Sequence, residues 1–255
     1  MTRAREEAQG QNGTSGQGRG VFARVALMVA GVLLVGMSVA LSKHALTGTT
    51  PISVIPAVVY DLLHDSGVTF VTLGMCSFAM NFLCLVVELM LLRRRFPVAQ
   101  LLQLPVVLLM SSSVDLWMLL FQNVPNDVYP VQLLCTAVAV AVLALGVYLQ
   151  TSADLLMTPG DALVSVITRL TGHRYHRVKV AFDVVLVGTG AVLSLLFFAE
   201  LRNVREGTVL AAVGTGLVVA LWARLFAPVM RRVSAAPVSW IPPVVPEDLD
   251  RGLGE

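Results

Sequence analysis

Six stretches of this chain, roughly residues 22–42, 68–92, 98–121, 129–150, 177–200 and 206–230, are apolar almost throughout. Their apolar residues run on without alternating, the pattern of a buried or lipid-facing helix and not of a barrel strand. A bilayer core about 30 Å thick takes about 20 helical residues to cross, and each stretch reaches that length. Two shorter, more polar patterns interrupt the series. Residues 51–66 carry Ile52, Ile55, Val58, Val59, Leu62 and Leu63 at helical spacing, and residues 159–172 do the same with Leu163, Val166, Ile167 and Leu170. Thr50-Pro51 and Thr158-Pro159 open these short helices, and Gly67 and Gly172 stop them. Proline suits a first helical turn, where its missing N–H would be unpaired anyway. Pro56, further in, is expected to kink or interrupt the first of the two.

The order of span, short helix, span, span therefore occurs twice. A unit with three crossings inverts its second copy. The expected fold is an all-α membrane protein with six transmembrane helices in two inverted three-helix repeats, about 22–121 and 129–230. Each repeat carries a short re-entrant or interfacial helix. An interfacial helix uses the same amphipathic pattern; a re-entrant one needs protein or a wet cavity around its backbone. Inverted repeats around interrupted helices are a transporter-like architecture, with any site near the pseudo-symmetry centre.

Composition agrees with that pattern. The chain is 56% hydrophobic and 13% charged, with a mean hydropathy of +0.79, whereas soluble domains hold about 25% charged residues. Net charge is only +2, so its placement matters more than its size. Basic residues gather at Arg3, Arg5, Arg19 and Arg24, at Arg93 to Arg95, at Arg169, Arg174, Arg177 and Lys179, and at Arg231 and Arg232. The alternate loops hold only Lys43, Arg202 and Arg205. The positive-inside bias then places both termini in the cytoplasm, in a multi-pass protein of the cell (inner) membrane. The first span is long and lacks a small-residue cleavage site before Lys43, so a retained helix is expected. Residues 1–20, rich in Gly and Gln, are expected to form a disordered cytoplasmic tail. The membrane domain is 21–230, followed by a Pro-rich cytoplasmic tail, 231–255.

Charged groups in hydrocarbon cost at least about 2.5–3.5 kcal/mol near the centre, so each one inside a span asks for a reason. Asp115, after Ser111 to Ser113, is a candidate to bind a cation or proton, to pair with Lys43, or to tie helices together. Asn81 is expected in an interhelical hydrogen bond or in a solute path. Glu88, two turns on, is expected to reach Arg93 to Arg95 at the interface. Asp183 follows Lys179 at the spacing of a helical ion pair. Asp154 and Asp161 flank Thr158-Pro159, where a carboxylate favours a helix start. The candidate pathway is thus Asp115, Asn81, Thr50, Pro51, Thr158, Pro159, Asp161 and Asp183. Cys76, Cys84 and Cys135 fall inside spans and read as inert buried thiols.

No Ser/His pair, Asp–Asp dyad, metal-ligand spacing or nucleotide loop is recognisable. No catalytic residue, cofactor or metal is therefore expected, and the chain does not read as an enzyme. Nothing supports a nucleic-acid partner. The bilayer is the one partner the pattern requires; a small-molecule substrate and a homo-oligomer are both compatible with it.

Two segments carry a family resemblance. Leu46-Thr47-Gly48-Thr49-Thr50-Pro51 and Leu156-Met157-Thr158-Pro159-Gly160-Asp161-Ala162-Leu163 resemble segments of the YczE/YyaS/YitT-type bacterial membrane proteins. Arg177 to Asp183, Glu206-Gly207-Thr208 and Asp115 are similar to positions of that family, over roughly residues 25–230. Ser53 stands where the first copy would carry an acid, and Asp183 where a Glu is expected. The resemblance implies a multi-pass inner-membrane protein with no settled activity and some transporter-like relatives. Two functions follow as expectations: a carrier of an unidentified small solute with a site between the repeats, or a non-transporting scaffold or accessory subunit that works through its tails and basic loops.

Overall fold

A computed structural model describes residues 2–93 and 98–233. Among them there are eight helices and no strand: α1 Thr2–His44, α2 Pro51–Asp65, α3 Leu73–Leu92, α4 Gln103–Phe121, α5 Tyr129–Ala153, α6 Pro159–Thr171, α7 Tyr175–Phe198 and α8 Glu206–Val233. A 3₁₀ turn, Val98–Leu102, leads into α4. Six of the helices hold apolar runs of crossing length, Val21–His44, Leu73–Leu92, Gln100–Phe121, Tyr129–Ala153, Arg177–Phe198 and Glu206–Phe226. Arg94, Arg95 and the tail from residue 234 lie outside the described residues.

The ends depart from the expected boundaries in instructive ways. α1 is helical from Thr2, where disorder to residue 20 is expected; Ala4 to Ala8 are mostly good helix formers, although Gly10 to Gly20 are not. α3 starts at Leu73 and not near 68, because Thr72 takes the N-cap and its hydroxyl accepts from the Met75 N–H. Pro56 leaves α2 unbroken. The stop after α2 is a Schellman turn, with the Val68 N–H on the Leu63 carbonyl (2.8 Å) and the Gly67 N–H on that of His64 (3.0 Å). Gly67 takes φ +84° there, and Gly172 takes φ +67° after α6, a conformation that glycine adopts without a Cβ penalty.

α1 and α5 cross at the centre of the bundle. α1 also packs on α4, and α5 on α8. α2 packs on α7, and α3 on α6; α2 leans on α3, and α6 on α7. α3 and α4 form a further packed pair. Small residues set the close approaches. A Cβ at Gly31 would stand 2.7 Å from the Gly146 carbonyl oxygen, and one at Gly36 would stand 3.0 Å from the Met110 carbonyl oxygen. Without a hydrophobic force between helices in lipid, such close backbone packing is a main source of adhesion. Val39, Ala57, Leu73 and Val114 form an apolar core between α1, α2, α3 and α4. The outer helices are bare by comparison: only 6% of the α8 span is buried. Leu196, Val209 and Leu217 stand outward there, as residues do that meet acyl chains and not water.

Candidate functional site

The two short helices start alike. Thr50 (φ −66°, ψ 152°) and Thr158 (φ −65°, ψ 148°) are extended N-caps, each followed by a proline. Neither threonine side chain accepts a backbone N–H of its own helix. Each instead reaches three residues on: Thr50 Oγ1 donates to Ser53 Oγ (2.9 Å), and Thr158 Oγ1 donates to Asp161 Oδ2 (3.2 Å). These starts are also interior. Pro51, Ser53 and Val54 are buried, as are Pro159, Gly160 and Ala162, whereas Asp65, Leu170 and Thr171 at the other ends are exposed. The starts touch, since a Cβ at Gly160 would run into Ile52 Cδ1. α7 backs the contact, with Gly190 closed against Val54.

Polar groups surround the α6 start. Lys179 Nζ lies 3.2 Å from Asp161 Oδ1 and 3.1 Å from Asp183 Oδ1. Asp161 and Asp183 are thus joined through one ammonium, two carboxylates to one cation. Burial, and then the charge of Asp161, pushes the phenol of Tyr175 up to about 12. Across the α3–α6 contact, Cys84 is within electrostatic range of Lys179, Asp161 and Glu88. The α2 start has no such acid; Ser53 occupies the matching place.

The acid of α2 lies instead near its far end. Lys43 Nζ donates to both oxygens of Asp61 (2.7 and 2.7 Å) and to Asn203 Oδ1 (2.8 Å), and Asn203 Nδ2 closes the ring on Asp61 (2.6 Å). Arg202 joins Asp65 (2.7 Å), so the α7–α8 loop is tied to the end of α2.

The expected pathway residues thus separate into groups. Thr50 and Pro51 open α2, and Thr158, Pro159 and Asp161 open α6, the two starts meeting where Ile52 touches Gly160, with Asp183 attached to Asp161 through Lys179. Asn81 is buried and donates to the Ser77 carbonyl of its own helix (2.9 Å). Asp115 accepts from the Gly74 N–H (2.7 Å) and from Thr72 Oγ1 (2.7 Å), so α4 caps α3, and Lys43 takes Asp61 as its partner. Asp154 is the left-handed residue that ends α5, leaving Asp161 as the acid at the α6 start. Glu88 is wholly buried and does not pair with Arg93, while Arg94 and Arg95 lie outside the described residues. Sequence reasoning did not bring out Asn203 or Gln103. Asn203 sits in a loop with no pattern, and Gln103 opens a helix behind a run that reads as continuous span. Among the described residues, no group of three or more His, Cys, Asp or Glu is placed to hold a metal ion.

Six helices of crossing length, outward-facing apolar side chains and a polar cluster kept inside define a multi-pass helical membrane protein. The chain belongs to a family of unknown function, DUF6198, whose model matches residues 22–224. No curated protein and no solved structure matches it.

Proposed function

We propose that this protein carries a small polar solute across the cell membrane, along a path that passes between the starts of α2 and α6. It acts as a carrier and not as an enzyme. The observation that carries the proposal is the contact of Ile52 with Gly160, made by two buried helix starts whose far ends are exposed. With both termini in the cytoplasm and six alternating crossings, α2 enters from the outer face and α6 from the inner one. Helix starts that meet in the interior then make both helices re-entrant, the arrangement expected of broken helices around a midplane site. The neighbour relations support inverted repeats: α1–α4 matches α5–α8, α2–α7 matches α6–α3, and α2–α3 matches α6–α7. The resemblance to YczE/YyaS/YitT-type proteins points the same way.

The test uses a chain with its three cysteines replaced, carrying one new thiol at Ser53 or at Ala162. In vesicles of known orientation, position 53 should react with an impermeant thiol reagent from the outer face and position 162 from the inner face. Flux of a panel of small ions and polar solutes into proteoliposomes should be blocked by the same modification. Thiols at both positions that react from neither side would overturn the carrier proposal.

A further inference from the structure

Glu88 has 0% of its surface exposed, and both of its carboxylate oxygens are buried without a hydrogen-bond partner. Across the α3–α4 contact lies Gln103, the first residue of α4, itself only 1% exposed. The Gln103 amide lies within hydrogen-bonding reach of the Glu88 carboxyl and has no other side-chain or backbone partner. Leu85 and Leu92, on the same helix, are buried beside the carboxyl. An ionised carboxylate in such a place loses its hydration with only a neutral amide within reach, and groups so buried neutralise instead.

Among the described residues, no neighbouring element offers a counter-ion. On α4, Asp115 caps the start of α3 at Gly74, fourteen residues before Glu88 and so about 21 Å away along the helix. On α6, Asp161 is an acid already held by Lys179 of α7, and Arg169, in the last turn, makes an interaction of its own. On α2, Asp61 pairs with Lys43, Asp65 pairs with Arg202, and His64 stacks on Tyr60. On α3 itself, Arg93 is exposed past the end of the helix.

We propose that Glu88 is a proton-binding site, a carboxylic acid that carries its proton at neutral pH inside the α3–α4–α6 seam. Gln103 suits both states of such a site. Its amide oxygen can accept the acid's O–H, and its amide N–H can donate to the carboxylate once the proton has left for water. Release exposes a bare charge, so it requires water to enter the seam or α3 to part from α4. Proton binding here goes beyond solute carriage and does not depend on it.

Dicyclohexylcarbodiimide, an apolar reagent that adds to protonated carboxyls, tests the proposal on the full-length protein in lipid nanodiscs. At neutral pH, peptide mass spectrometry should find the adduct on Glu88 and not on exposed acids such as Glu200 or Asp65. Raising the pH should suppress labelling, and Glu88→Gln should abolish it. No adduct on Glu88 in the folded wild-type protein, or one whose yield ignores pH, overturns the proposal, and neither result needs a variant to fold. If Glu88 labels while no solute crosses, the proton site stands and the carrier reading fails. If solute crosses and Glu88 stays unlabelled, the reverse holds.

Discussion

Gly31 and Gly146 lie face to face where α1 crosses α5, so close that a Cβ on either would fall 2.7 or 2.8 Å from the other's carbonyl oxygen. The obstacle is backbone on both sides, and neither helix can yield without moving as a whole. Gly31→Ala and Gly146→Ala should each cost about 1–3 kcal/mol or more through overpacking. Thermal unfolding in detergent checks this, and melting points unchanged in both variants would refute it.

Gly160→Ala is expected to behave differently. The atom in its way is Ile52 Cδ1, the free end of a side chain that can turn aside, and the next nearest is 3.9 Å off. Its cost should stay below about 1 kcal/mol, near that of an ordinary surface change. Gly160→Trp fills the contact that Ala spares, and should stop solute flux if the path runs there.

The pair Lys43–Asp61 is mostly buried, with side chains 11% and 18% exposed. Breaking one side leaves an uncompensated charge, so Lys43→Met or Asp61→Leu alone should cost about 3–5 kcal/mol. The double variant should recover much of that loss. A double variant less stable than both singles would show that Asn203 or Arg202, and not the pair, holds this corner.

Asp115→Ala should lower stability by about 1 kcal/mol, the usual worth of a helix N-cap. Asp115→Asn keeps one acceptor for the Gly74 N–H and should lose less. Their melting points, read beside Thr72→Ala, separate a cap from a solute ligand. A variant with normal stability and no flux would put Asp115 back on the pathway.

Lys179→Met leaves Asp161 and Asp183 facing each other without their shared cation. A loss of about 1 kcal/mol is expected, given that the three side chains are 22–37% exposed. Adding Asp161→Asn should reverse most of it. Melting curves for the single and double variants decide whether the three groups act as one unit.

Much of the fold was legible because hydrocarbon solvent leaves few choices: a run of about 20 apolar residues has to be a helix. The short helices were legible from Thr-Pro starts and glycine stops, which act locally. Polar partners were not, because they are set by packing. The Lys179–Asp183 pair is one helical turn and could be read from spacing, but Asp161 joins it only through the α6–α7 hairpin. Asp115 has the same sequence signature whether it caps a neighbouring helix or binds a solute. Glu88 misled for the same reason. Its nearness to Arg93 along the chain suggested the interface, while the helix turns its side chain inward.

α8 meets the bundle chiefly along α5, with almost none of its span buried by protein. Most of its solvation shell is therefore acyl chain. A helix solvated in that way depends on the bilayer as a subunit of an obligate dimer depends on its neighbour. Delipidation should release α8 before the α1–α5 crossing feels any loss.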